Sequence, residues 1–271
     1  MTLKYSPALT NFIAEQGSWK EFFDAGCIEL YTGSQPATPD LAVTGTLLAT
    51  ITSSAGTRTA ETHATGLITL SGATSGSVDT LTLAGIDLID VPGQSTVAYN
   101  TSLAQTATDV CTRINRNPAN TLVVATTAGG VIITLTATPG LGVALNSKTI
   151  ATTSTGLTST ATSNMGASTG VVGIASANGL RMDYNAAAGM FTKDPTQTWS
   201  GSGVGAGTQT AGWFRYKGAI ADAGALDASA VYLRMDGTIA TSGADMTMTS
   251  TAVANGALQT LGTFQFTIPA A

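Results

Sequence analysis

From Cys27 onward, apolar and polar side chains alternate in short runs that end near glycine, and this period of two confines most of the chain to β-structure. CIELYTG (27–33) and TGTLLATITS (44–53) come first, with the two-proline loop SQPATPD (34–40) between them. Later runs are GLRMDYNAAAGMFTKD (179–194), TWSGSGV (198–204), TAGWFRYKG (210–218), AVYLRMDGTIAT (230–241), DMTMTST (245–251) and LGTFQFTIP (261–269). Together they make about eight strands at the short, turn-punctuated spacing of an antiparallel sandwich or barrel.

The helical period appears in two places. Behind Pro7, a residue suited to a first helical turn, Leu9, Phe12 and Ile13 fall at 3–4 spacing. Ser18 and Glu21 then have capping-box spacing ahead of Phe22 and Phe23, and Gly26 ends the segment. The second place is TSLAQTATDVCTRINRN (101–117), where Leu103, Ala107, Val110, Cys111 and Ile114 form one apolar stripe. Ser102 and Gln105 have the spacing of another capping box, and Asn117–Pro118 ends the helix.

That second helix sits inside a stretch with its own grammar. ATGLITLSGATSGSVDTLTLAGIDLIDV (64–91) reads as two threonine-rich strands around a Gly/Ser turn at 75–77. After the helix, TLVVATT (121–127) and VIITLTAT (131–138) flank Gly129–Gly130 as a hairpin, and polar strand-like runs continue to about residue 168. The expected fold class is therefore mainly β: an antiparallel β-sandwich or barrel interrupted by an inserted small α+β (ββαββ) domain. The expected division is 1–60 with 169–271 as a discontinuous sandwich bearing N-terminal helices, and 61–168 as the insert. Exposed loops tolerate such insertions.

The composition limits the chemistry. Charged residues are 10% of the 271-residue chain, against about 25% in an average domain. Net charge is −5, which offers no basic footprint for nucleic acid. Cys27 and Cys111 are far apart and lack metal-site spacing, so both are expected to be small buried residues. No signal peptide is read at the N-terminus, and no apolar run approaches a membrane span. The single histidine, His63, reads as a solvated loop residue with only Glu61 near it in sequence. Glu15, Glu21, Glu29 and Glu61 are not placed by any pattern into a catalytic pair. Asp87, Asp90, Asp222 and Asp227 lack calcium-loop spacing. GSGVGAGTQTAG (201–212) lacks the G-K-[ST] ending of a phosphate loop and reads as a hairpin connection. No catalytic residue, cofactor or metal is expected.

One stretch breaks the monotony. In AGWFRYKG (211–218), Trp213, Arg215 and Lys217 fall on one face, and Phe214 and Tyr216 on the other. Phe214 and Tyr216 suit a core. Trp213, Arg215 and Lys217 then form an outer face, suited to a protein–protein contact or to a solvent-facing strand. Aromatics interleaved with bases also serve nucleic-acid surfaces, which the acidic balance disfavours.

IELYTGSQPATPDLAVTGTLLATIT (28–52), TWSGSGV…TAGWFRYKG (198–218), RMDGTIATSGADMTMTST (234–251) and FQFTIPA (264–270) resemble a recurrent type of tailed-bacteriophage virion protein. In that family the piece like LLATIT is followed fairly directly by one like GLRMDYNAAAG; here more than a hundred residues intervene. The intervening residues resemble a module inserted into many phage structural proteins, through GLITLSGATSGSVDTLTLAG (66–85), LAQTATDVCTRIN (103–115) and VVATTAGGVIITLTA (123–137). The resemblance implies a non-enzymatic virion structural protein, assembled in the host cytoplasm. Its first implied role is capsid decoration or cementing on the outer head surface. The implied partners are the major capsid protein, other virion proteins, and further copies of itself, as a trimer, with neither nucleic acid nor membrane. The other implied role is a tail-associated or fibre protein whose insert binds the host surface.

Overall fold

Where alternation is strict, the backbone is extended. The computed structural model describes residues 3–15, 17–167, 170–185 and 189–267. Its first segment carries β1 (Lys4–Tyr5), α1 (Pro7–Glu15), α2 (Trp19–Phe23), β2 (Cys27–Thr32) and β3 (Leu47–Ser53). The middle carries β4 (Thr65–Leu83), β5 (Ile86–Asp87), β6 (Val97–Ala98), α3 (Leu103–Arg116), β7 (Val123–Thr126), β8 (Ile132–Ala137) and β9 (Ile150–Ala161). The last begins with β10 (Met182–Asn185), β11 (Met190–Lys193), β12 (Trp199–Ser202), β13 (Thr208–Lys217) and β14 (Arg234–Ala240). It ends with β15 (Met246–Thr247), β16 (Ala252–Ala254), β17 (Leu258–Leu261) and β18 (Gln265–Thr267). The protein is mainly β, and among the described residues its strand pairs are antiparallel except β14 with β15. Among the described residues, no helix is long and apolar enough to cross a membrane.

The chain divides into two compact units: Met1–Glu61 with Ser176–Ala271, and Thr62–Ala175. In the first, a nine-stranded sheet runs β1-β14-β13-β2-β3-β12-β17, with β15 on β14 and β16 on β13. Sheet neighbours β3 and β12 come from either side of the second unit in the sequence, with Ser53 opposite Trp199 and Thr52 opposite Ser200. A three-stranded sheet, β10-β11-β18, completes this unit. Ala186–Ala188 of the expected 179–194 run, 168 at the end of the expected insert, and 268–269 of the last run lie outside the described residues.

One face of the large sheet makes the core. Ile28, Leu30, Phe214, Tyr216 and Met235 are buried there with Leu9 and Phe12 of α1 and Phe22 and Phe23 of α2. Ser18 and Glu21 form the reciprocal capping box, which starts α2 where Phe22 and Phe23 can turn inward. Phe23 meets Phe266 at 5.0 Å and Tyr216 edge-on at 5.2 Å between ring centroids. Each such buried side chain contributes roughly 1.5–3 kcal/mol, so the aromatic cluster fastens the helices to the sheet.

In the second unit, a six-stranded sheet runs β5-β4-β8-β7, with β6 and β9 also on β4. The Gly/Ser stretch expected as a turn between two strands is instead a bend inside one long strand. β4 pairs with β9 on both sides of it: Gly72 faces Leu157, Ser77 faces Thr155, and only Gly156 opposes the residues between. Gly72, Gly76 and Gly156 take positive φ values of 91°, 118° and 79°, which side-chain-bearing residues rarely adopt. The bend is sharp enough to bring Thr152 and Ser159 of β9 within 2.9 Å. An unbent strand would separate them by about 23 Å at ~3.3 Å per residue. The ββαββ count is thus replaced by one bent ribbon, two short strands, a helix and a hairpin.

α3 buries Thr106, Ala107, Val110, Cys111 and Ile114. Ser102 accepts a hydrogen bond from the Gln105 N–H, but the Gln105 amide turns forward to Asp109 at 3.0 Å, leaving the second half of the expected capping box unmade. Cys27 and Cys111 are both free and buried, and burial pushes each thiol up to about 11.

Candidate interaction surface

On the other face of the large sheet, β2, β13 and β14 lie side by side, and their register sets nine side chains in three rows. Cys27, Lys217 and Arg234 form one row, Glu29, Arg215 and Asp236 the next, and Tyr31, Trp213 and Thr238 the third. Trp213, Arg215 and Lys217 are 0%, 0% and 3% exposed, so the expected outer face is covered by the chain itself. This corrects their reading as protein–protein contact residues: they have no free surface to offer a neighbour. The segments between β2 and β3 and between β13 and β14 lie over Arg215, Lys217 and Arg234.

The cluster is electrically matched. Arg215 donates from Nε and Nη2 to the two carboxylate oxygens of Asp236, both at 2.7 Å. Arg234 grips Asp222 in the same way, at 2.7 and 2.6 Å. Lys217 lies 2.6 Å from Glu29, which also accepts from the Tyr31 hydroxyl at 2.5 Å. Three cations therefore meet three carboxylates. Trp213 stacks on Tyr31 at 4.6 Å and donates its indole N–H to the Thr32 carbonyl. Phe214 and Tyr216 point the opposite way into the core, as alternation requires, and the Tyr216 hydroxyl donates to the Phe23 carbonyl.

The remaining donors reach the covering loops. Arg234 donates to the carbonyls of Pro39, Asp40 and Ala225. Arg215 donates to the Leu41 carbonyl, and Lys217 to the Asp222 carbonyl. The loops also bond each other, through Val43 N–H to Gly224 O and Asp227 N–H to Asp40 O. Charged groups committed to fixed backbone carbonyls make this a clamp that immobilises two loops.

The two arginine-bound carboxyls shift in opposite directions. Burial raises Asp236 above the ordinary carboxylate range despite its bidentate hold on Arg215. Burial also acts on Asp222, but hydrogen bonds from Arg234 and the Gly224 N–H outweigh it and hold this carboxyl below the ordinary range.

Above the clamp the loops turn apolar side chains outward. Leu41, Leu226 and Val231 are 39%, 58% and 54% exposed. They flank the Asp40–Asp227 backbone link, and Asp227 fixes the second loop further by accepting from the Val231 and Tyr232 N–H groups. Exposed aliphatic residues on loops whose backbone is immobilised suit protein contact, since little entropy is lost on docking. Sequence reasoning missed this set. Leu41 and Leu226 sit in turn-rich segments without periodicity; Asp236 becomes visible as a partner only once strand register is known, and Asp222 only once the loop between β13 and β14 is placed.

Other candidate residues are scattered. His63 is half-buried near the start of the second unit, and Glu61 is buried in the first. Among the described residues, no group of three His, Cys, Asp or Glu is placed to hold a metal ion. Comparison with protein-family models, curated protein sequences and solved structures finds no match.

Proposed function

We propose that this chain is a non-enzymatic structural protein of a tailed-bacteriophage virion, which decorates the outer surface of the head as a homo-oligomer bound to the major capsid protein. The observation that carries the reading is the resemblance of 28–52, 198–218 and 234–251 to virion proteins of that type. The architecture supports it in two ways. The first unit spends its densest cluster of charged and aromatic side chains on fixing loops. Those loops then present Leu41, Leu226 and Val231 outward, which suits docking on a shell.

In this reading the first unit is a β-sandwich, with the large sheet packed on α1, α2 and the small sheet. Thr62–Ala175 is the inserted α+β module. A trimer fits local three-fold positions of an icosahedral lattice. Binding to the shell stabilises the folded form by mass action, which suits a chain with few charges of its own.

The test is quantitative mass spectrometry of purified particles, comparing this chain's copy number with that of the major capsid protein. Hundreds of copies, independent of tail length, are expected. A dozen or fewer would transfer the chain to the tail tip or fibres, with the second unit as the host-binding part. Absence from the particle would overturn the virion reading.

A further inference from the structure

β7 is an edge strand with β8 on one side, and its outward backbone groups are already occupied. On that outer side the Ala125 N–H donates to Asn115 Oδ1 at 2.8 Å, and Asn115 Nδ2 donates back to the Ala125 carbonyl at 2.9 Å. Two residues along, the Val123 N–H donates to Asn120 Oδ1 at 3.2 Å, and Asn120 Nδ2 donates to the Val123 carbonyl at 2.8 Å. A carboxamide carries one acceptor and a donor at peptide-like spacing. Each asparagine therefore reproduces the double bond that an opposed residue makes in an antiparallel ladder.

The strand has four residues, Val123–Thr126. Residues 123 and 125 direct their backbone outward and 124 and 126 toward β8, so the two amides account for the whole outer row. VVAT is rich in β-formers, and an open edge of that kind templates pairing with another chain. Asn115 stands exposed in the last turn of α3, where alanine is the better helix former. Its contribution lies in the edge it covers.

We propose that Asn115 and Asn120 close the outer edge of β7 against strand addition, and that a second copy of this chain occupies that edge once they are removed. A two-fold axis at Val124 would set Val123 of one copy against Ala125 of the other and satisfy all four groups freed by the substitutions. The resulting contact is isologous and closed at this edge.

The experiment uses the full chain with Asn115→Ala alone and with Asn115→Ala and Asn120→Ala together. Light scattering over a concentration series reads association relative to the parent chain, and amide exchange by NMR reads Ala125 and Val123. At low concentration, Asn115→Ala is expected to speed Ala125 exchange about tenfold, as losing one or two hydrogen bonds of ~1 kcal/mol implies. For the double variant, association is expected at concentrations at least about tenfold below the parent, with Ala125 protection returning as it proceeds. Asn146→Ala serves as the control, since Asn146 makes the same two bonds to Gly173, away from β7. Unchanged association, with or without faster exchange, overturns the proposal. So does equal association by Asn146→Ala, because loosening of the unit would then be its cause.

Discussion

Arg215 and Asp236 stand directly opposite each other on neighbouring strands and share two 2.7 Å hydrogen bonds, with neither side chain reached by solvent. Two ions taken out of water recover their desolvation cost only while both are present. Asp236→Ala should therefore cost about 3–5 kcal/mol by leaving the guanidinium buried and unpaired. Replacing both residues, as Arg215→Met with Asp236→Leu, should recover most of that loss. Urea unfolding of the single and double variants decides it: a double variant as unstable as the single would mean that the loop carbonyl bonds of Arg215, and not its ion pair, carry the energy.

Asp222 gives the cluster a sign with pH. Its carboxyl is held below the ordinary value, so above about pH 3.9 it is ionised in both folded and unfolded chains and its contribution is complete. As pH falls below that, the unfolded chain takes up the proton first and stability is lost until the folded pKa is passed. The stability gap between the parent and Asp222→Asn should thus be widest from pH 5 upward and shrink below about pH 3.9. A gap that stays constant down to pH 3 would rule out this carboxyl as part of the acid response.

These two carboxylates also show what one strand can and cannot reveal. Alternation in AGWFRYKG separates Trp213, Arg215 and Lys217 from Phe214 and Tyr216, because the period of two belongs to the backbone. It does not reveal which face is wet. That depends on the segments that fold over the sheet, and their turn residues carry no periodic signal. The capping box at Ser18 was legible because all its parts lie within four residues. The bend of β4 is not legible in the sequence because Gly and Ser serve turns and bulges alike, and only the partner strand decides between them.

Gly76 is the residue on which that bend rests. A Cβ there would lie 2.1 Å from the Thr155 carbonyl oxygen, and its φ of 118° is a conformation that glycine alone takes readily. Gly76→Ala should destabilise the second unit by on the order of 1–3 kcal/mol from backbone strain alone. Gly130 has open space where its Cβ would be and no positive φ. Gly130→Ala should stay within about 0.5 kcal/mol of the parent. Equal thermal shifts for the two would remove the bend as the source of strain.

The loop tips make the proposed docking surface testable apart from the fold. Leu226→Asp and Val231→Asp alter side chains that are 58% and 54% exposed, so unfolding should move by no more than about 0.5 kcal/mol. Each charge would still have to be desolvated in a protein contact. On the proposed head-decorating role, co-sedimentation with emptied capsids should fall at least about tenfold for the double variant, the equivalent of ~1.4 kcal/mol. Full binding would move the contact to another face.

The two-unit organisation predicts that the first unit folds alone. Its chain leaves and returns through an antiparallel bridge in which Thr59 N–H and Ala177 N–H each donate to the other's carbonyl at 3.0 Å. The ends left by removing 62–175 are therefore already adjacent, and a linker of about three residues spans them at ~3.3 Å each. Both sheets of the unit, its aromatic core and the charged clamp come from the retained residues. A shorter loop also costs the unfolded chain less entropy to close. The deleted chain should unfold cooperatively, with a denaturant m-value reduced in keeping with its smaller buried surface. A non-cooperative transition would mean that the first unit depends on the second for its structure.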